Sequence, residues 1–456
     1  MKKALLMLAL VISFRSTAVL AQSFKLMRFD EDYGAFKNDT SAKLYDKVKY
    51  LALTKDRNVY LSLGGELRYE YAGKFDENWI AHQGYNYSFL QRYSLHSNLQ
   101  IGKRLRVFAQ LNSAIENGSK YGPAPVDEDK LNVQNLFIEG KLCDSDKQSL
   151  SLRVGRQELN YGTGRLISVR EGTNARLYFT GAKAMYRSPN FTLDAFVMMA
   201  DNVYPGVFDN KSTYKANLWG AYSSLIIPKG GNFDFYYLGV ANADKEFEDG
   251  QAQEIRHTVA TRYWRYGGGF IYNLEGAYQF GTFGTSRINA WTAAIDVGYV
   301  FNDMKGKPSI NLRNDYISGD MRKGDGKLQT FNPLYPRGGY FGFNPLIGPV
   351  NLIDLHPYAT ISIAQGCMLQ ADVVYNWRYS VNDGLYRPSG NFNLPGSGSA
   401  KKYIGTTYLA SADYQLSKFF SVSTGAQYFK TGPFIKDVVT PTANSWFFNT
   451  QITFKF

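Results

Sequence analysis

Beyond its N-terminal stretch the sequence has no run of 18 or more consecutive apolar residues, so no membrane-spanning helix is expected. Two cysteines, Cys143 and Cys367, serve 456 residues. They fall in separate expected turns and cannot staple so long a chain, so they read as inert thiols and stability must come from ladders and packing. Histidine is scarce at four residues. No metal-ligand spacing, phosphate loop or nucleotide fingerprint is present, so no metal or other cofactor is expected. The formal charge is +12. Subtracting Lys2, Lys3 and Arg15, which lie in an expected export signal, leaves about +9. The Lys and Arg residues form no clustered run, which argues against nucleic acid and for an anionic solute or lipid.

Aromatic residues are abundant at 16%, with 34 Tyr and 31 Phe, and Gly reaches 43. The mean hydropathy is nevertheless −0.31. Strands that alternate lipid-facing with water-facing residues produce this combination. The stretch from Ala443 to Phe456 shows it most clearly. Trp446, Phe448, Thr450, Ile452, Phe454 and Phe456 share one face, while Phe447, Asn449, Gln451, Thr453 and Lys455 share the other. An exposed closing strand of this kind would be an open edge in a soluble protein, whereas in a barrel it pairs with the first strand.

Residues 1–21 read as a signal peptide, with Lys2 and Lys3 ahead of an apolar run and Val19-Leu20-Ala21 as the cleavage site. Residues 22–57 read as a periplasmic leader with a weak helical pattern over 43–53, expected as a short surface helix under the barrel rather than a stopper. Residues 58–456 read as about eighteen strand candidates, from Val59–Gly73 to Ala443–Phe456. Their connections alternate in length. Long ones include Leu159–Asn174, Asp244–Gln253, Met321–Val350 and Val381–Ala400, with Thr282–Thr285 the one short exception. The expected fold is therefore all-β: one transmembrane antiparallel up-and-down barrel with short periplasmic turns and long extracellular loops.

With Leu61, Leu63, Leu67, Tyr69 and Tyr71 toward lipid, Glu66, Arg68 and Glu70 point inward, as do Arg92, Ser94, His96 and Asn98 on the next strand. Arg104, Arg106, Arg153, Lys183, Arg187, Asp194, Lys215, Arg256, Arg262, Glu275, Asp296, Arg313, Asp372, Arg378 and Asp413 follow the same rule. Arg156 breaks it and is expected at the outer rim or a bulge. A lipid-facing Arg or Lys at the midplane costs about 2–4 kcal/mol, so this sorting supports a barrel. The charges have two uses: Arg–carboxylate pairs that stiffen the wall, and a remainder of Arg that attracts carboxylates through its planar fork. Ser94, His96 and Asn98 imitate a hydrolase set, but neighbours two apart on a strand are too far apart for a nucleophile–base bond, so no enzyme is expected.

Several stretches resemble the bacterial alginate export family. They are Tyr60-Leu61-Ser62-Leu63-Gly64-Gly65-Glu66-Leu67-Arg68-Tyr69-Glu70, Arg92–Leu99 with Arg106–Leu111, Gly155-Arg156-Gln157-Glu158-Leu159 with Tyr161-Gly162, Arg165-Leu166 and Asn174, and Arg256-His257 and Arg262 with Tyr272–Gly281. The resemblance implies a monomeric passive pore in a Gram-negative outer membrane, in contact with bilayer and outer-leaflet lipid. It also implies an Arg-rich constriction for a polyuronate, carried here by Arg68, Arg92, Arg106, Arg153, Arg156 and Arg165, with loops that fold over or into the lumen; the solute expected is an anionic or polar oligo- or polysaccharide or another carboxylate-bearing or small polar solute. The alternative is a surface barrel with a closed lumen, whose long aromatic loops bind a partner.

Overall fold

The computed structural model describes residues 24–38, 43–344 and 346–456, so the expected signal stretch lies outside the described residues. Eighteen strands form the wall. They are β1 (Val59–Phe75), β2 (Tyr85–Ile101), β3 (Leu105–Asn117), β4 (Asp129–Asp144), β5 (Ser149–Gln157), β6 (Phe179–Arg187), β7 (Phe191–Asn202), β8 (Lys211–Ile227), β9 (Gly231–Phe247), β10 (Gly250–Gly267), β11 (Phe270–Phe283), β12 (Ser286–Val300), β13 (Ser309–Ile317), β14 (Leu352–Ala364), β15 (Cys367–Arg378), β16 (Tyr403–Gln415), β17 (Phe420–Thr431) and β18 (Ser445–Lys455). Each pairs antiparallel with its neighbours, and β1 pairs with β18 from Glu66↔Lys455 to Phe75↔Trp446, which closes the ring. Closure leaves the wall no open edge, the condition for strands to cross hydrocarbon.

The alternation read from the sequence is realised in the wall. Leu95, Leu136, Ile138, Val154, Val197, Phe235 and Trp446 stand exposed on the outside, while Arg68, Arg92, Gln110 and Arg153 are buried inside. Connections at one end are short, such as 102–104, 188–190 and 365–366. The opposite end carries the long loops L3 (158–178), L7 (318–351), L8 (379–402) and L9 (432–444).

Two expectations about the strands from β8 to β10 need correction. The loop expected over Asp244–Gln253 is a two-residue turn at 248–249, because β9 and β10 run on through it to Phe247 and from Gly250. At 17 residues, β9 spans roughly 55 Å, more than twice the height of an apolar band. The hairpin therefore projects past the membrane in place of a loop. Lys215, expected inward, is exposed, and it has the opposite parity to the buried inward Leu218 on the same strand.

The main apolar core lies inside the ring. Leu159, Leu166 and Ile167 of L3, Phe331, Leu334, Ile347 and Val350 of L7, Leu385 and Tyr386 of L8, and Phe434 and Ile435 of L9 pack against Leu218, Leu238, Val240, Ile317, Leu352 and Val374 of the wall. Inward positions near the long-loop end are thus greasy, and the loops cover them instead of water. Both cysteines are free thiols.

At the short-turn end, the described part of the N-terminal segment enters the ring instead of lying beneath it as the expected surface helix, because inward aromatic and polar groups of the wall seat Phe29 and Lys49. Phe29 sets its ring edge-on to Phe108 and Phe137, at 5.7 and 5.3 Å. Its carbonyl accepts from Arg106 at 2.6 Å. A helix over Leu44–Lys49 buries Lys49 completely. The fit is close: a Cβ on Gly64 would stand 2.5 Å from Lys49 Nζ and 2.6 Å from His96 Nε2.

Candidate functional site: a septum between two vestibules

L3 folds into the ring and meets L7. Tyr335 donates its N–H to Leu166 O at 2.9 Å, Ser168 donates to Tyr335 O at 2.9 Å, and Arg337 donates to Gly164 O at 2.9 Å. Gly162 and Gly164 permit the turn that brings L3 there, at φ +57° and +75°. The paired segments form a septum across the lumen.

Both sides of the wall hold it. On one side, Arg68 donates to the carbonyls of Glu171 and Thr173 at 2.9 and 3.0 Å. Arg92 reaches Asn174 O at 3.1 Å and the same two carbonyls at 2.8 and 2.7 Å, and pairs with Glu66 at 3.1 Å and Glu171 at 2.9 Å. Asn174 Nδ2 donates to Gln91 O, Ile115 O and Asp127 O at 3.1, 3.2 and 3.0 Å. On the other side, Arg165 reaches Glu275 on β11 at 3.3 Å and Asp315 on β13. Buried backbone and charge are satisfied together here, which a loop inside a barrel requires.

Most of the other cations named from the sequence are also engaged, whereas Arg104, in the 102–104 turn, and Lys215 are exposed. Arg106 and Arg153 share Glu139, at 2.9 and 2.6 Å. Lys183 pairs with Asp194 at 3.4 Å, and Arg256 with Glu254 at 2.6 Å. Arg262 pairs with Asp234 at 2.9 Å, and Arg313 with Asp296 at 3.0 Å. Arg156 bridges to Asp201 at 2.9 Å near the long-loop end. Among the described residues Arg378 pairs with no carboxylate; it donates to Lys401, Val381, Asp383, Gly396 and Ser399 carbonyls and so fastens L8. Ser94 Oγ donates to Asn112 Oδ1 at 2.7 Å while the His96 ring stacks on Phe108, so these two side chains do not form a nucleophile–base pair.

The septum divides the remaining space. Toward the short turns lies a cavity of about 600 Å³, walled by Arg262, Arg313, Asn273, Asp296 and, from the septum, Arg337 and Glu171. Toward the long loops lies one of about 300 Å³, walled by Arg170, Lys245, Asn242, Asn332, Tyr335 and Asn391. Arg170 and Lys245 escaped the sequence reading because they sit in stretches taken for loops. Parity rules do not reach loops, and the signal available there was a basic residue inside the distinctive Arg165–Asn174 stretch.

Comparison with known proteins agrees with this architecture. Among curated proteins no relative matches. OccAB1 of Acinetobacter baumannii superposes with a TM-score of 0.59 at 14% identity, over 90% of this chain and 100% of that one. Pseudomonas aeruginosa OccK2 (OpdF), solved in complex with glucuronate, gives 0.56 at 10% identity, over 87% and 98%. A BenF-like porin from Pseudomonas fluorescens gives 0.56 at 10% identity, over 87% and 98%. At such identities the likeness is one of fold. The sequence profile named Alginate export matches residues 59–449, most of the chain. The chain therefore belongs to the alginate export family, built on the eighteen-stranded frame of an outer-membrane porin.

Proposed function

We infer that the barrel is a passive, non-catalytic outer-membrane channel for small carboxylate-bearing solutes, of the size of a single sugar acid rather than a polymer. The observation that carries this reading is the septum. It leaves vestibules of about 300 and 600 Å³ on its two faces, the scale of small-molecule pockets, with basic side chains in each. The glucuronate complex of a protein with the same fold is in keeping with that class of solute. Selectivity comes from basic groups at the vestibules, since most lumen cations named from sequence are committed to wall carboxylates or loop carbonyls.

The test is reconstitution into planar bilayers and liposomes. The expected outcome is a discrete anion-preferring pore that admits glucuronate and excludes alginate oligomers. A cation-preferring pore, or equal passage of the oligomers, overturns the reading. The apolar packing of L3, L7 and L8 favours a second reading, a closed barrel whose loops bind a partner. Absence of any conductance from correctly folded protein would select it.

A further inference from the structure

Arg170 stands out in the outer vestibule. Its backbone is left-handed, at φ +54°. A non-glycine residue held there costs about 1–3 kcal/mol unless its surroundings over-determine it. Here they do: Arg170 N–H donates to Ser168 Oγ at 3.0 Å, and Thr173 donates both its N–H, at 3.1 Å, and its hydroxyl, at 2.9 Å, to Arg170 O. The conformation delivers the guanidinium to the wall of the 300 Å³ cavity. Among the described residues the cavity brings no carboxylate within ion-pair distance of it and no acceptor within hydrogen-bond distance, unlike the wall arginines. Lys245 lines the same cavity and spends one of its three donors on Gly390 O, at 3.1 Å.

The floor explains why these two charges stay available. The carboxylate beneath them, Glu254, is fully engaged: by Arg256 at 2.6 Å, by Asn242 at 2.7 Å and by Asn332 at 3.0 and 3.1 Å. That network neutralises Arg256 and fixes the two amides at the cavity wall. At the rim, Asp244 is exposed and accepts from Gln251 at 2.7 Å. Arg170 and Lys245 against Asp244 leave one positive charge unbalanced. Two like charges facing one cavity repel, and a carboxylate between them relieves that repulsion through charge-assisted bonds. Ser389 and Asn391 from L8 complete the wall with groups suited to hydroxyls.

We propose that Arg170 and Lys245 form a carboxylate-binding subsite on the outer face of the septum, which takes a single monoanionic polyhydroxy solute. Its part in transport rests on the channel reading above; the binding itself does not. Asp244 at the rim leaves the subsite a single net positive charge, so a dianion gains little more than a monoanion.

The experiment is calorimetry on the purified full-length barrel in detergent, with D-glucuronate as probe and D-glucose as the uncharged control. Glucuronate should bind and glucose should not register. Arg170→Gln should weaken glucuronate at least tenfold, Lys245→Gln should weaken it severalfold, and Arg170→Lys should recover part of the loss. The two variants lie on different elements, L3 and β9, so misfolding of one does not remove the test. Equal binding of glucose and glucuronate to the wild type, or unchanged glucuronate binding in both Gln variants, overturns the subsite. Bilayer recordings separate the two readings. An anion-preferring pore with no loss of binding in the variants sinks the subsite alone, whereas binding lost in the variants without wild-type conductance sinks the channel alone.

Discussion

Arg165→Gln should release the tip of L3 while leaving its base in place. Arg165 is the cation for Asp315, which is fully buried on β13, and it also reaches Glu275 at 3.3 Å. Directly across from Asp315 on β14 lies Asp354, also fully buried. Glutamine cannot neutralise Asp315 or Glu275. Removing one member of a buried pair costs about 3–5 kcal/mol, chiefly because a charge is left unpaired. That is two to nearly four powers of ten in the local opening equilibrium. The base of L3 should hold, because Arg68, Arg92 and Asn174 are untouched. Amide exchange should therefore accelerate at least a hundredfold over residues 160–169 and stay near wild type over 170–176. Single-channel conductance should rise as the septum loosens. Adding Asp315→Asn to Arg165→Gln should restore most of the protection, since removing both partners leaves less charge stranded. Exchange over 160–169 within a few fold of wild type, or no recovery in the double variant, would refute the tether.

Other consequences are open to direct measurement. Burial, and after it the neighbouring Arg28, pushes the Lys49 amine down to about 8 from its ordinary 10.5. The undocked N-terminal segment then binds more protons than the docked one between these values, so docking should tighten as pH rises through about 8 to 10.5, by on the order of 3 kcal/mol in all. Protease cleavage within residues 24–57 should slow from neutral pH to about pH 10, and Lys49→Met should flatten the dependence; cleavage that quickens with pH contradicts it. Phe29→Ala removes a buried ring seated between Phe108 and Phe137 and should weaken the same docking by about 3–5 kcal/mol. Cleavage of residues 24–38 with an intact ring would show it, and unchanged resistance would count against it. Arg378→Ala orphans the carbonyls that converge on its guanidinium and should expose 379–402 to protease without shifting the barrel's melting; a protected loop would refute this.

The wall was legible from residues alone because a strand's period of two turns burial into spelling. Leu95 and Val154 had to face oil and Arg92 and Arg153 water, and both demands agree with one register. The same rule overreached in two places. It treated every inward position as wet, yet Leu218, Leu238 and Val240 face in and are dry, because loops distant in sequence cover them. It also ended β9 at the first polar cluster, although Lys245 and Glu246 continue the ladder against Ala252 and Gln251 past a bulge. The candidate site was less legible. Parity identified the arginines that hold L3 but not the one L3 presents. Arg170 owes its position to a left-handed turn and to a partner loop some 170 residues away, and neither leaves a periodic trace.

The guanidinium of Arg28 joins the seam of the ring, donating to Gly65 O on β1 at 2.9 Å and to Phe456 O just past β18 at 2.8 Å. Those two oxygens come within one fork's span only after the first and final staves have met. The N-terminal segment is therefore a clasp that cannot fasten until assembly is finished, and its engagement marks a sealed cylinder. It follows that any rupture starting at this joint must first undo Arg28.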